Sequence, residues 1–127
     1  MLDPKTNTLN WFEIPVTDFN RAKKFYETVF AMQMHEMDFE DFKMGMFPSE
    51  PNNGKLSGAI VKGEYYKPSQ EGSLVYLNGN PDLQEALDRV EKAGGKIMRP
   101  KTSIGEFGFM AVMIDTEGNA VALHSNK

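Results

Sequence analysis

Cysteine is absent from this chain. That excludes disulfides, thiolate nucleophiles and cysteine-ligated metals. Basic residues are not in excess either: 14 lysines and arginines face 18 aspartates and glutamates, for a formal net charge of −4. A nucleic-acid partner is not expected, because its phosphates require a basic patch or stripe. No apolar run approaches the ~20 residues needed to span a bilayer, so no membrane partner is expected. The opening residues, Met1 to Thr8, lack the charged-then-apolar layout of a secretory signal and read as a loosely held tail. The expected location is the cytoplasm. P-loop, GxGxxG, HExxH and nucleophile-elbow patterns are all missing.

What is present is an alternating strand that turns into an amphipathic helix, and this plan occurs twice. The 127 residues suffice to bury a core as one domain spanning the whole chain. From Asn10 to Val16, Phe12, Ile14 and Val16 face one way while Trp11, Glu13 and Pro15 face the other, the pattern of a strand with one oily face. Pro15 has no N–H to donate, which places its side of the strand at an edge or an irregularity. Asp18 is set as the N-cap of a helix. Ala22, Phe25, Tyr26 and Val29 line one face of that helix, with Arg21, Lys23, Lys24 and Glu27 solvated. Short strands are expected at Gln33 to Asp38, Phe42 to Phe47 and Leu56 to Lys62, with a surface loop from Pro48 to Lys55.

Gly63 to Gly72 reads as the joint between halves. A strand from Ser73 to Asn78 opens the second half. Asp82 and Glu85 make a start resembling a capping box, and Leu83, Ala86, Leu87 and Val90 form the apolar face of a second helix. Glu85 with Arg89 and Asp88 with Lys92 are favourable pairs on its surface. Gly94-Gly95 stops it. Strands are expected at Lys96 to Arg99, Phe107 to Ile114 and Ala120 to His124, the last two joined by the turn Asp115-Thr-Glu-Gly-Asn119. The reading is an α+β fold of two βαβββ modules, about residues 9–62 and 72–126. Each module leaves one sheet face uncovered by its own helix, and two modules can share that face.

Three features carry a family resemblance. They are Ile14-Pro-Val-Thr-Asp18 leading into Arg21-Ala22 and Phe25-Tyr26, the helix ending Ala93-Gly94-Gly95-Lys96, and Asp115 to Asn119 before the last strand. Together they span nearly the whole chain, and in their order and spacing the sequence resembles the vicinal oxygen chelate superfamily, which includes glyoxalase I, the extradiol dioxygenases and the bleomycin-resistance proteins. The resemblance implies sheets that curl into a half-closed cup, often completed by homodimerisation. In metal-using members it implies three or four His, Glu or Gln side chains around a divalent ion, because such ions take nitrogen and oxygen donors and keep positions open for substrate. Carried onto this chain, the ligand positions fall at Trp11, at Gly58 or Ala59, at Val75 or Tyr76, and at Ala122. The indole N–H only donates, and glycine and alanine offer no side-chain donor atom, so the standard divalent metal site is expected to be absent.

Two polar residues stand two positions beyond those sites and share their sheet faces, Glu13 after Trp11 and His124 after Ala122. They are the candidate catalytic pair: a carboxylate can orient an imidazole and raise its basicity, giving an acid/base or a polar anchor. Against that, Glu13 can sit solvated at the cup mouth and His124 can be an exposed near-terminal residue. Trp11 and Tyr76 are candidate substrate-binding residues, as an aromatic clamp or as bulk filling the vacated site. Met113, one of many methionines, joins them as a flexible candidate, the competing reading being core filler. His35, beside Glu36 with no second ligand in sight, reads as a surface residue. The functional expectation is a superfamily member that binds a small molecule in the cup without the standard metal. Two alternatives stay open: a metal-dependent lyase, isomerase or dioxygenase with non-standard ligands, and a drug-sequestering resistance protein. Fold alone does not choose among them.

Overall fold

The alternation at the start of the chain forms β1 (Trp11–Pro15), and Asp18 caps α1 (Phe19–Phe30), its side chain accepting the Arg21 backbone N–H. The computed structural model describes residues 1–127. Phe19, Ala22, Phe25, Tyr26 and Val29 are the buried face of α1, a stripe wide enough to hold the helix on a sheet. Strands β2 (His35–Asp38), β3 (Phe42–Met46) and β4 (Ser57–Gly63) complete the first module. The second contains β5 (Tyr76–Asn78), α2 (Leu83–Leu87), β6 (Lys96–Ser103), β7 (Phe109–Ile114) and β8 (Ala120–Ser125).

Each module folds into a four-stranded mixed sheet, in the orders β1-β4-β3-β2 and β5-β8-β7-β6. The first strand of each runs parallel to the last strand of its own module and stands at a sheet edge. Pro15 is therefore on an edge strand, where a missing N–H costs least. Register assigns the faces: Trp11 lies opposite Ser57 and Glu13 opposite Ala59, while Ile14 lies opposite Ile60 on the helix side. In the second sheet Tyr76 lies opposite Ala122 and Asn78 opposite His124.

Both helices contribute to one core. Ile14, Phe25, Tyr26 and Ile60 of the first module and Leu83, Leu87, Met113 and Leu123 of the second belong to the same buried cluster. Burying each large apolar side chain contributes about 1.5–3 kcal/mol, and here that contribution depends on both modules being present.

Three elements differ from the sequence reading by more than two residues at an end. The second helix ends at Leu87 rather than at the glycines. Beyond it Arg89 and Val90 donate to Ala86 and Leu87, three residues back, so the segment tightens into turns before Gly94. Arg89 does not pair with Glu85: its Nε–H donates to the Val29 carbonyl of α1 at 2.8 Å. Strand β6 continues past Arg99 through Pro100 to Ser103, which its edge position and its breaks in register allow. Strand β5 is shorter than expected, beginning only at Tyr76.

Candidate functional site

Trp11 and Glu13 project from the sheet face opposite α1, as alternation along β1 dictates. Glu13 is held at both oxygens. The Trp11 indole N–H donates to Oε2 at 3.2 Å, and the Tyr66 hydroxyl donates to Oε1 at 2.8 Å. No lysine or arginine forms an ion pair with it. The hydrogen bond to Glu13, with some burial and the carboxylate's charge behind it, raises the Tyr66 phenol above its ordinary value, so Tyr66 stays a protonated donor. Tyr66 belongs to the segment joining the modules, which the sequence offers only as a linker.

That linker lies along the seam. Ser69 takes the Asn119 side-chain oxygen with its N–H and gives its carbonyl to Ala120, and Val75 gives its carbonyl to Ala122. Between linker, β1 and β8 it leaves a small polar cleft of about 170 Å³ lined by Glu13, Lys67, Ser69, Glu71 and Asn119, among others.

His124 is elsewhere engaged. Its Nε2 lies 2.6 Å from the Phe107 carbonyl, and no hydrogen bond or ion pair joins it to Glu13. The structure does not couple the two candidates, which stand in different sheets. Tyr76, half exposed, lines a larger apolar crevice with Phe12, Phe47 and Leu77. Met113 is fully buried within the helix-side core beside Ala111 and Leu123. Its side chain faces away from the sheet surface that carries Trp11 and Glu13, and offers no atom to a ligand there.

The module boundary is fastened at the turn between β7 and β8. Glu117 has no exposed side-chain surface and accepts the backbone N–H groups of Thr17 and Asp18, the Arg21 guanidinium at 2.7 Å and the Thr116 hydroxyl. Burial pushes its carboxyl up, but these donors outweigh burial and hold it at about 2. Tyr26, buried in the core, donates to Asp115 at 2.7 Å, and Asn119 donates to the Pro15 carbonyl at 2.7 Å. The residues that make this turn a sequence signature are thus a clasp between modules.

With this architecture in place, comparison with known proteins is decisive. The model of the Glyoxalase/Bleomycin resistance protein/Dioxygenase superfamily matches residues 8–123. The chain belongs to that superfamily. It is 29% identical over 126 residues to the putative glyoxylase CFP32 of Mycobacterium bovis, covering 94% of this chain and 46% of that protein. It is 31% identical over 122 residues to a glyoxylase-like domain-containing protein of Didymella fabae, covering 91% of each. The chain therefore spans about half the length of the mycobacterial relative and most of the fungal one. Among solved structures, glyoxalase I of Zea mays superposes with a TM-score of 0.69 at 20% identity, over 93% of this chain and 46% of that one. A superfamily enzyme from Burkholderia phytofirmans superposes at 0.67 with 13% identity, over 93% and 98%. These two likenesses concern the fold.

Of the positions where the resemblance would put metal ligands, Trp11, Gly58, Ala59, Val75 and Ala122 offer no ligating side-chain atom, and Tyr76 offers a phenol oxygen. Trp11 spends its N–H on Glu13. At Gly58 an added Cβ would stand 2.4 Å from the Phe12 ring, so the position cannot carry a side chain without displacing that ring. Ala59 and Ala122 are fully buried alanines. Nowhere do three His, Asp or Glu side chains gather as a metal-holding group.

Proposed function

We propose that this superfamily member binds a small molecule on the sheet face carrying Trp11 and Glu13, without the divalent-ion centre of its metal-using relatives. The observation that carries the reading is the state of Glu13: a carboxylate fixed by two neutral donors and paired with no cation. Each oxygen keeps acceptor capacity, so the site suits a ligand that presents N–H or O–H groups, and positive charge is favoured over negative. Trp11 and Tyr66 supply ring surface beside it, and the polar cleft along the linker gives room for a small head group. Fixing the carboxylate in advance removes part of the ordering cost of binding. A homodimer in the cytoplasm is the setting we propose for it, closed two-fold pairs being the commonest assembly.

The test uses the fact that Trp11 is the chain's only tryptophan. A thermal-shift screen of small amines, alcohols and planar heterocycles identifies ligands by mass action. Each ligand should also change Trp11 emission and bind about tenfold more weakly, a loss of ~1.4 kcal/mol, in Glu13→Gln. Ligands that stabilise the protein yet ignore both Trp11 and Glu13→Gln overturn the site. Stoichiometric zinc, nickel, iron or manganese in protein purified without chelator overturns the metal-free reading in favour of a glyoxalase-type reaction of the kind the relatives' names suggest.

A further inference from the structure

We infer that the crevice between the modules, at the end of the first sheet where β1 and β4 begin, is a second ligand site that takes an uncharged, largely apolar small molecule. It has a volume of about 620 Å³ and is walled by Phe12, Phe30, Phe47 and Leu77, with Leu74 and Tyr76 at its mouth. That volume falls in the range of sites for drug-sized ligands, ~300–1,000 Å³. The back wall is already in place. Phe12 lies against Gly58, where no side chain could coexist with it. The Phe12 and Phe47 rings are 5.5 Å apart, and Phe47 meets the fully buried Tyr26 ring edge-on at 5.6 Å. A recess backed by core aromatics needs little reorganisation to receive a guest.

The lining contains no charged residue, so a carboxylate or ammonium would lose its hydration and find no partner. Of the polar side chains, Ser57 spends its hydroxyl on the Phe47 carbonyl, and Asn78 gives its oxygen to the Asn80 N–H. That leaves the Ser73 and Tyr76 hydroxyls and the Asn78 amide N–H groups for one neutral polar end of a ligand. The mouth carries Leu9, Leu56, Leu74 and Tyr76, each between 40% and 51% exposed. Such a gathering of exposed apolar residues around a recess marks a contact site. The other occupant of matching chemistry is an exposed aromatic of a second copy, Tyr65 or Phe107.

The full-length protein is titrated with N-phenyl-naphthylamine, a neutral dye that brightens in apolar surroundings. Saturable binding of one dye per chain is expected, displaced by decanol and not by decanoate at equal concentration. Leu74→Asp and, independently, Leu56→Lys should each weaken the dye about tenfold or more, since each sets a charge at the mouth. Glu13→Gln should leave dye binding unchanged, which separates this site from the one on the opposite sheet face. If Leu74→Asp does not fold, Leu56→Lys decides. Binding that never saturates, that both variants retain, or that decanoate competes as well as decanol overturns the proposal. So does a dimer that excludes the dye and dissociates in Leu74→Asp, which would assign the crevice to a second copy.

Discussion

A phenol with no exposed surface must find a partner for its hydroxyl, and Tyr26 finds Asp115 across the module boundary. Burial, then the Asp115 charge and the hydrogen bond to it, raise the Tyr26 phenol well above its ordinary value, so it acts as a donor at every ordinary pH. Asp115 also accepts the N–H groups of Glu117 and Asn119 and the Asn119 amide. Tyr26→Phe keeps the ring and removes one of several donors to a carboxylate. It should cost about 1.5–3 kcal/mol, measured by urea denaturation at neutral pH; a change below a few tenths would mean the carboxylate is satisfied without it. At this scale the sequence was partly legible. Trp11 and Glu13 could be placed on one face because β1 alternates. Met113 could not, because Phe109 to Ile114 is apolar at every position, and a continuous apolar run gives no phase from which to choose a face. Tyr66 was illegible for another reason: it reaches Glu13 from a linker whose path is set by tertiary contacts, not by periodicity.

Helix α1 was readable to the residue at its start because an aspartate cap and a regular stripe agree. Its end carries a local conflict. Ala31 adopts φ 51°, ψ 52°, the left-handed conformation, and gives its N–H to the Glu27 carbonyl. A Cβ there costs about 1–2 kcal/mol relative to the right-handed region, and glycine is the residue this cap position favours. Part of that gain is offset by the greater freedom of glycine in the unfolded chain. Ala31 is exposed, so its methyl has little packing to lose. Ala31→Gly should therefore stabilise the protein by about 0.5–1 kcal/mol, seen as a raised urea midpoint with unchanged slope. A lowered midpoint would show that the strain is absent in solution. Helix α2 was less legible because the same apolar spacing serves a helix and a series of tightening turns. The Arg89 guanidinium, expected on the helix surface, instead reaches the end of α1 and donates to the Val29 carbonyl.

At the scale of the whole molecule, two modules with one core should unfold as one unit, and the clasp at Glu117 should govern how that unit responds to acid. The Glu117 carboxyl titrates at about 2 in the folded protein against an ordinary 4.5. Between those values the unfolded chain binds the proton first, so stability falls as pH drops through this window and is fully present above it. Glu36 beside Lys23 and Asp82 beside Lys101 are also lowered and act with the same sign, but they lie at the surface and added salt screens them. Glu117 is shielded from solvent by its donors, so its share of the acid response should persist in high salt. Glu117→Gln removes the charge while keeping the shape. At neutral pH it should cost about 1.5–3 kcal/mol, as loss of charge-assisted hydrogen bonds does. Below pH 4.5 the variant and the natural protein should converge, because acid neutralises in one what substitution has removed from the other. Urea denaturation at a series of pH values in high salt, followed both by Trp11 emission in the first module and by far-ultraviolet circular dichroism, reads slope and cooperativity together. Parallel acid limbs for the two proteins would remove Glu117 as the source of the effect, and separate transitions by the two probes would mean that the modules do not depend on each other.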